Sequence, residues 1–177
     1  SSGTLIVIPH VLMEHWMTQI DLHVNLNYLT ANGKEPLVFE YGRDRDALSV
    51  DKAIIMTQLH STHEAVVFFD HGSTRPLPPP DFLSMFKIVV TTSRRFEREW
   101  KNGSLQEELQ NAKSAAQAAD KGAANMTYER SFRQSNEACS LLKIHWLRMI
   151  VDEGHSMAKG RHSNTIQFAS WISAERR

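Results

Sequence analysis

The stretch Thr4-Leu5-Ile6-Val7-Ile8-Pro9-His10-Val11-Leu12-Met13-Glu14-His15-Trp16 decides how the chain folds. Its first five residues are almost all apolar or β-branched, which suits a strand buried on both faces better than one with a wet side. After Pro9, Val11, Leu12, Trp16, Ile20 and Val24 recur at a spacing of three to four, so residues 9–24 read as a strand exit, a turn and an amphipathic helix. The same alternation continues outward. Short apolar or β-branched runs lie at 36–41, 65–69, 87–91 and 147–151. Helix-like stretches separate them: 46–60, with Leu48, Ala53, Ile54 and Met56 as apolar positions, and the short basic segment 93–101. Strands alternating with helices predict βαβ units, hence an α/β fold with a parallel sheet covered by helices on both faces.

Two stretches stand outside this pattern. Residues 72–80 contain four prolines, which remove backbone donors and fix φ, so they read as a surface loop. Residues 103–133 are polar and rich in Ala, Gln, Glu and Lys, and offer almost nothing large to bury. They are expected to form a partly helical surface insertion, placed at about 103–140 within a single unit spanning 1–177.

A chain of 177 residues has room for one domain with a single core, and 41% hydrophobic with 23% charged residues excludes the disordered and collagen-like classes. Twenty basic residues balance twenty acidic ones, so no overall field draws the chain to nucleic acid or to an anionic membrane, and any such contact must come from local clusters. The lone Cys139 can form no internal disulfide and lacks the partners of a zinc finger, which favours a reducing compartment. No apolar run approaches the roughly 20 residues that span a bilayer, and no membrane contact is expected. Ser1-Ser2-Gly3 leads straight into a strand, and Glu175-Arg176-Arg177 ends without a closing element, which reads as a piece of something longer.

The chemistry is concentrated in Trp146-Leu147-Arg148-Met149-Ile150-Val151-Asp152-Glu153-Gly154-His155. A parallel strand delivers its last residues to the ligand crevice at the carboxyl edge of the sheet. There, one carboxylate can hold Mg²⁺, which keeps several of its waters, and the next can orient and deprotonate an attacking water. Taken alone, Asp-Glu after a strand is also what an ordinary acidic strand exit looks like.

In context it resembles the Asp-Glu-x-His box of the Swi/Snf-type DNA-translocating ATPases of helicase superfamily two. Residues 4–16 resemble their motif Ia. Lys87-Ile88-Val89-Val90-Thr91-Thr92-Ser93 resembles motif Ib, with Thr92-Ser93 where Thr-Tyr is usual, and Ala174-Glu175-Arg176-Arg177 looks like the approach to motif III. The glycine in Asp-Glu-Gly-His, reached through Trp146 and Arg148, looks most like the branch of RING-bearing DNA-damage-tolerance remodellers. The resemblance implies a RecA-like lobe, the first of two, from a nuclear enzyme that couples ATP hydrolysis to movement along double-stranded DNA or a nucleosome, in chromatin remodelling or DNA repair. Its cofactors would be ATP and Mg²⁺, and its partners DNA and the second lobe of the parent chain. Carried over by position, Asp152 holds Mg²⁺ through water, Glu153 is the general base, and His155 couples the site to motif III. Pro9, His10, Thr91 and Thr92 face the DNA backbone. Arg94, Arg95, Arg98 and Lys101 form a basic helix face that either adds phosphate contacts or is simply solvated.

The departures are as informative. The phosphate-cradling loop Gly-x-x-x-x-Gly-Lys-Ser/Thr is not found: Gly33-Lys34 is followed by Glu35, and Gly160-Arg161 lacks the lysine. In the family that loop precedes motif Ia, so the fragment alone is not expected to hydrolyse ATP. The alternative is a non-catalytic lobe kept as a DNA-binding or protein-docking scaffold. Other residues read structurally. His60 and His63, with His71 or Asp70, have ligand-like spacing, but a strand separates them. Trp16, Trp100, Trp146 and Trp171 read as packing anchors and Cys139 as a small buried hydrophobe.

Overall fold

The computed structural model describes residues 3–31, 33–43, 49–54, 62–72, 74–102, 139–154 and 163–177. Six strands form one sheet: β1 Thr4–Ile8, β2 Glu35–Tyr41, β3 His63–Asp70, β4 Ile88–Thr92, β5 His145–Val151 and β6 Ser173–Arg176. Their order is β2-β3-β4-β1-β5-β6, and every neighbouring pair runs parallel. The expected α/β architecture with a parallel sheet is therefore present. The helices are α1 Met13–His23, α2 Val50–Ile54, α3 Pro80–Leu83, α4 Ser93–Asn102, α5 Ser140–Lys143 and α6 Asn164–Trp171, with 3-10 turns at His10–Leu12 and Leu26–Leu29.

Residues 5–8, 65–69 and 89–90 are apolar because both faces of β1, β3 and β4 are covered there, whereas β5 leaves Leu147 and Ile150 exposed. Leu5 and Val7 point into one core layer with Phe39, Phe68, Phe96, Trp100, Trp146 and Phe168, against α4 and α6. Ile6 and Ile8 point into the other with Val66, Val67, Phe69 and Val90, beneath Met13 and Ile20 of α1. An extra residue in β3, between the partners of Leu37 and Val38, lets the whole run from Ala65 to Asp70 be buried. Four phenylalanines, Phe39, Phe68, Phe82 and Phe86, interlock at centroid distances from 5.3 to 6.3 Å. Phe96 meets Phe168 at 4.7 Å and joins α4 to α6. Each such ring, fully buried, stabilises the fold by about 1.5–3 kcal/mol.

Several expectations need correction. Val11 is 82% exposed, so the helix begins its buried stripe at Met13 and not at Val11. The C-terminal segment is not without a closing element: Ser173–Arg176 adds a sixth strand beside β5, pairing His145 with Ser173 and Arg148 with Arg176. Its small and charged residues carry no β-branched signal, and an edge strand does not need one. Of the stretch 72–80, residues 74–79 are irregular as expected and residue 73 lies outside the described residues, but Pro80 opens α3, where a missing N–H costs nothing. The loop is also pinned: Pro76 O accepts from the Tyr41 hydroxyl, and Leu77 packs on the core. Of the helix placed at 46–60, Val50–Ile54 is helical, and Leu48 and Met56 lie outside the described residues. The insertion from 103 to 138 also lies outside them, whereas Cys139 and Ser140 already belong to packed structure, with Cys139 against the core and Leu141 and Leu142 buried just behind it. No described helix is long and apolar enough to cross a membrane.

Candidate active site

The chain leaves β1 toward β2 on one side of the sheet and leaves β5 toward β6 on the other, so β1 and β5 flank a topological switch point. In open α/β sheets the crevice outside the carboxyl ends at such a point is where ligands bind. Pro9 and His10 follow β1 there, and Asp152 and Glu153 follow β5. Val7 stands level with Val151, and Asp152 N donates to Val7 O at 2.9 Å, which fixes the second exit against the first. The structure thus brings the Asp-Glu pair and the Pro-His turn to adjacent strand ends.

Asp152 is half-buried and both its carboxylate oxygens are engaged. Oδ2 accepts from Trp16 Nε1 at 2.8 Å, and Oδ1 accepts from Glu153 N at 2.9 Å. Each oxygen keeps a second lone pair, so the carboxylate can still accept from metal-bound water. A hard cation that retains most of its waters suits such a ligand, and the donor set fits Mg²⁺ held indirectly. Glu153 is exposed and stands at φ +52°, in the left-handed region that side chains other than Gly, Asn and Asp seldom enter. Strain of this kind persists only where the surroundings impose it, and it collects at functional sites. His155 lies outside the described residues.

The second pair of strand exits is organised differently. Thr91 and Thr92 are fully buried and present no hydroxyl to solvent, unlike residues that face a DNA backbone. Thr91 Oγ1 donates to Asp70 Oδ2 at 2.7 Å, and Thr92 Oγ1 accepts from Arg95 N at 3.2 Å across the first turn of α4. Arg95, the second residue thought to line a basic face, is equally buried. Its Nε and Nη2 both reach Asp70 at 2.7 Å, and Nη1 reaches Arg75 O at 2.8 Å and Glu99 at 3.2 Å. Burial alone would lower the Arg95 pKa, but the Asp70 hydrogen bonds and charge hold it above its ordinary value. Glu99 is raised by burial, against the pull of Arg95, and burial with the Glu99 charge pushes the Cys139 thiol well up. Arg98 also turns inward, to Arg75 O and Glu99, so only Arg94 and Lys101 of the four remain exposed. By contrast Pro9 is half-buried and His10 exposed.

Among the described residues the histidines do not assemble. His63 opens β3 and pairs with Glu35 at 3.2 Å, whereas His71 follows the end of that strand and meets Glu40 at 3.2 Å. Eight residues of extended chain hold them about 26 Å apart. His60 lies outside the described residues. Of the tryptophans, Trp146 and Trp100 are core anchors as expected, and Trp146 Nε1 donates to Leu141 O at 3.1 Å.

The full length of the chain, residues 1–177, matches the model of the SNF2-related domain. The chain belongs to the SNF2-related domain family. That family comprises helicase-like enzymes that hydrolyse ATP, and the resemblance drawn from motifs Ia and Ib and the Asp-Glu-x-His box is to the same group. Among curated proteins the chain is similar to the F-box protein At3g54460 of Arabidopsis thaliana, at 22% identity over 175 residues. That match covers 98% of the chain but only 8% of the relative's own length. No solved structure gives a significant match.

Trp16, Asp70 and Arg95, which the sequence pattern gives other roles, organise the carboxyl edge of this SNF2-related lobe. Trp16 was assigned to packing, and its tie to a residue 136 positions away leaves no local trace. Asp70 did leave one. A single acid closes a fully apolar run, a charge where the pattern demands burial, which calls for a partner. Arg95 left none, since it lies about 100° around α4 from Phe96.

Proposed function

We propose that this SNF2-related chain is the first RecA-like lobe of a nuclear ATPase that moves along double-stranded DNA, in chromatin remodelling or DNA repair, with a second lobe of the same parent completing the site. The observation that carries this reading is the Asp152–Glu153 pair at the switch point, one strand away from the Pro9–His10 turn. ATP with Mg²⁺ supplies a γ-phosphoryl group whose transfer to water is limited by positioning and charge. Asp152 would hold the ion through its water shell. Glu153 would orient the attacking water and take its proton on a carboxylate oxygen. His155, two residues on, would link this site to motif III.

Pro9 and His10 are the DNA-facing residues of the proposal, since they alone of the four candidates reach the surface. Thr91 and Thr92 act from beneath, holding the start of α4 in place. Contacts to phosphates are independent of sequence and few in number, which agrees with a chain of zero net charge.

In the intact protein, Glu153→Gln is expected to keep ATP binding and to lose DNA-stimulated turnover by about 10²–10⁴-fold, the usual contribution of a general base. Near-normal hydrolysis by that variant would overturn the enzymatic reading and leave the lobe as a DNA-binding or protein-docking scaffold.

A further inference from the structure

We propose that Trp16 is a positioning residue for Asp152, and that through it helix α1 couples contact at the Pro9–His10 turn to the carboxylate that holds the metal. The inference rests on the assignment of Asp152 and Glu153 given above and extends it to how DNA reaches the nucleotide site.

Three observations point to this role. The turn and the tryptophan belong to one continuous piece of structure: the 3-10 turn His10–Leu12 runs directly into α1 at Met13, with Trp16 in its first turn. Trp16 lies six residues beyond His10, about 9 Å along a helical axis, too short a path to absorb a displacement. The ring has a seat, packed half-buried against the layer that contains Ile6, Ile8 and Met13, so its single N–H is aimed by packing. That N–H meets Asp152 Oδ2 at 2.8 Å while Glu153 N meets Oδ1 at 2.9 Å. Rotating the carboxylate therefore disturbs the left-handed Glu153 backbone as well.

The chemistry of the donor separates this contact from a structural tie. Two aspartates close strands at this edge. Asp70 is buried under Arg95, whose two-pronged charge cancels its own. Asp152 is held by an uncharged indole, which fixes orientation and leaves the full negative charge for a cation. A guanidinium in the place of Trp16 would compete with Mg²⁺ for the same oxygens. A neutral donor on a helix rooted at the DNA-facing turn is the arrangement in which movement of the turn alters metal affinity without displacing the ligand.

The test uses the intact protein with Mn²⁺ as the probe, bound metal being counted by electron paramagnetic resonance in the presence of ADP, with and without duplex DNA. Trp16→Phe keeps an aromatic ring in the seat and deletes the N–H. The expected result is a loss of about tenfold in Mn²⁺ affinity, in the range found when an outer-shell partner is removed. Duplex DNA should change Mn²⁺ affinity in the wild type and no longer do so in Trp16→Phe. Wild-type metal affinity and an unchanged DNA effect in Trp16→Phe would overturn the inference. So would a wild-type protein whose Mn²⁺ affinity ignores DNA, a measurement that needs no variant to fold. Glu153→Gln run in parallel separates the two levels: if it is inactive while Trp16→Phe binds metal normally, only the positioning role fails, and if it hydrolyses ATP normally the assignment beneath it fails.

Discussion

Replacing Arg95 with methionine should cost this lobe more stability than any exposed substitution, because it strands a carboxylate in the core. Asp70 and Arg95 both have side chains with no exposed surface, and the pair is joined by two contacts of 2.7 Å. In Arg95→Met, Asp70 keeps only Thr91 Oγ1 at 2.7 Å and Gly72 N at 3.1 Å, two neutral donors for a full buried charge. Removing one member of such a pair costs about 3–5 kcal/mol. Against a total stability on the order of 5–15 kcal/mol, that is a large fraction. With a urea slope of about 2 kcal/mol per molar, the unfolding midpoint should fall by roughly 1.5–2.5 M. Asp70→Leu should do comparable damage, leaving a buried guanidinium supported by Arg75 O and Glu99. The double variant Asp70→Leu with Arg95→Met removes both charges and should recover at least about 2 kcal/mol relative to the sum of the two single losses. Urea titrations followed by far-ultraviolet circular dichroism measure all three. A loss below about 1 kcal/mol in Arg95→Met, or strict additivity in the double variant, would refute the argument that charge cancellation holds this edge together.

Two further outcomes follow from the same structure. Gly72 stands at φ +71°, and a Cβ added there would come within 2.8 Å of Thr92 Oγ1, so Gly72→Ala should lower the melting temperature by about 5 °C through a strained backbone and a clash with a buried hydroxyl; an unchanged melting temperature would contradict that packing. Glu64 is held below its ordinary value of 4.5 by its hydrogen bond with Lys87 and by the amide of Ala31, so its stabilisation is present above that value and is lost as the pH falls through the lowered one. Glu64→Gln should therefore cost about 0.5 kcal/mol at pH 7 and nothing once the wild-type carboxyl is protonated, and a loss of the same size at both pH extremes in urea titrations would rule the ion pair out as its source.

The fold was legible where burial on both faces wrote itself into composition. Leu5 to Ile8, Ala65 to Phe69 and Ile88 to Val90 are apolar because nothing polar can sit there, and all three runs became strands. Strand β6 was not legible, since Ser173, Ala174, Glu175 and Arg176 lie at an edge where one ladder suffices and the side chains are free to be polar. Of the candidate site, Asp152 and Glu153 were legible because the chemistry needs adjacent carboxylates just past an apolar strand. What linear pattern could not reveal is which polar groups face inward. Thr91, Thr92 and Arg95 carry the composition of a phosphate-binding edge, yet Thr91 and Arg95 spend donors on Asp70 and the Thr92 hydroxyl accepts from the first turn of α4. Helical phase does not separate Arg95 from Arg94, since both lie more than about 100° around α4 from the middle of the Phe96–Trp100 arc; it is the partners Asp70, Arg75 O and Glu99 that draw Arg95 inward.

The two halves of the carboxyl edge are therefore built to different rules, and the difference bears on how such a lobe would work. On the β3–β4 side, one aspartate receives four donors, its charge is cancelled, Gly72, Thr91 and α4 are locked to it, and Arg75 O is held through Arg95. Nothing there can shift without exposing a buried ion, so this half serves as a fixed frame. On the β1–β5 side, Asp152 has a single side-chain donor among the described residues, an uncharged one, and is followed by a glutamate in a backbone region that costs roughly 1–2 kcal/mol to occupy. A few kcal/mol gained from a bound cation or lost from a moved helix is enough to rearrange that half and not the other. A cycle of nucleotide binding and release needs both properties in one lobe. Here they divide between the two sides of β1, the strand whose sequence first revealed the sheet.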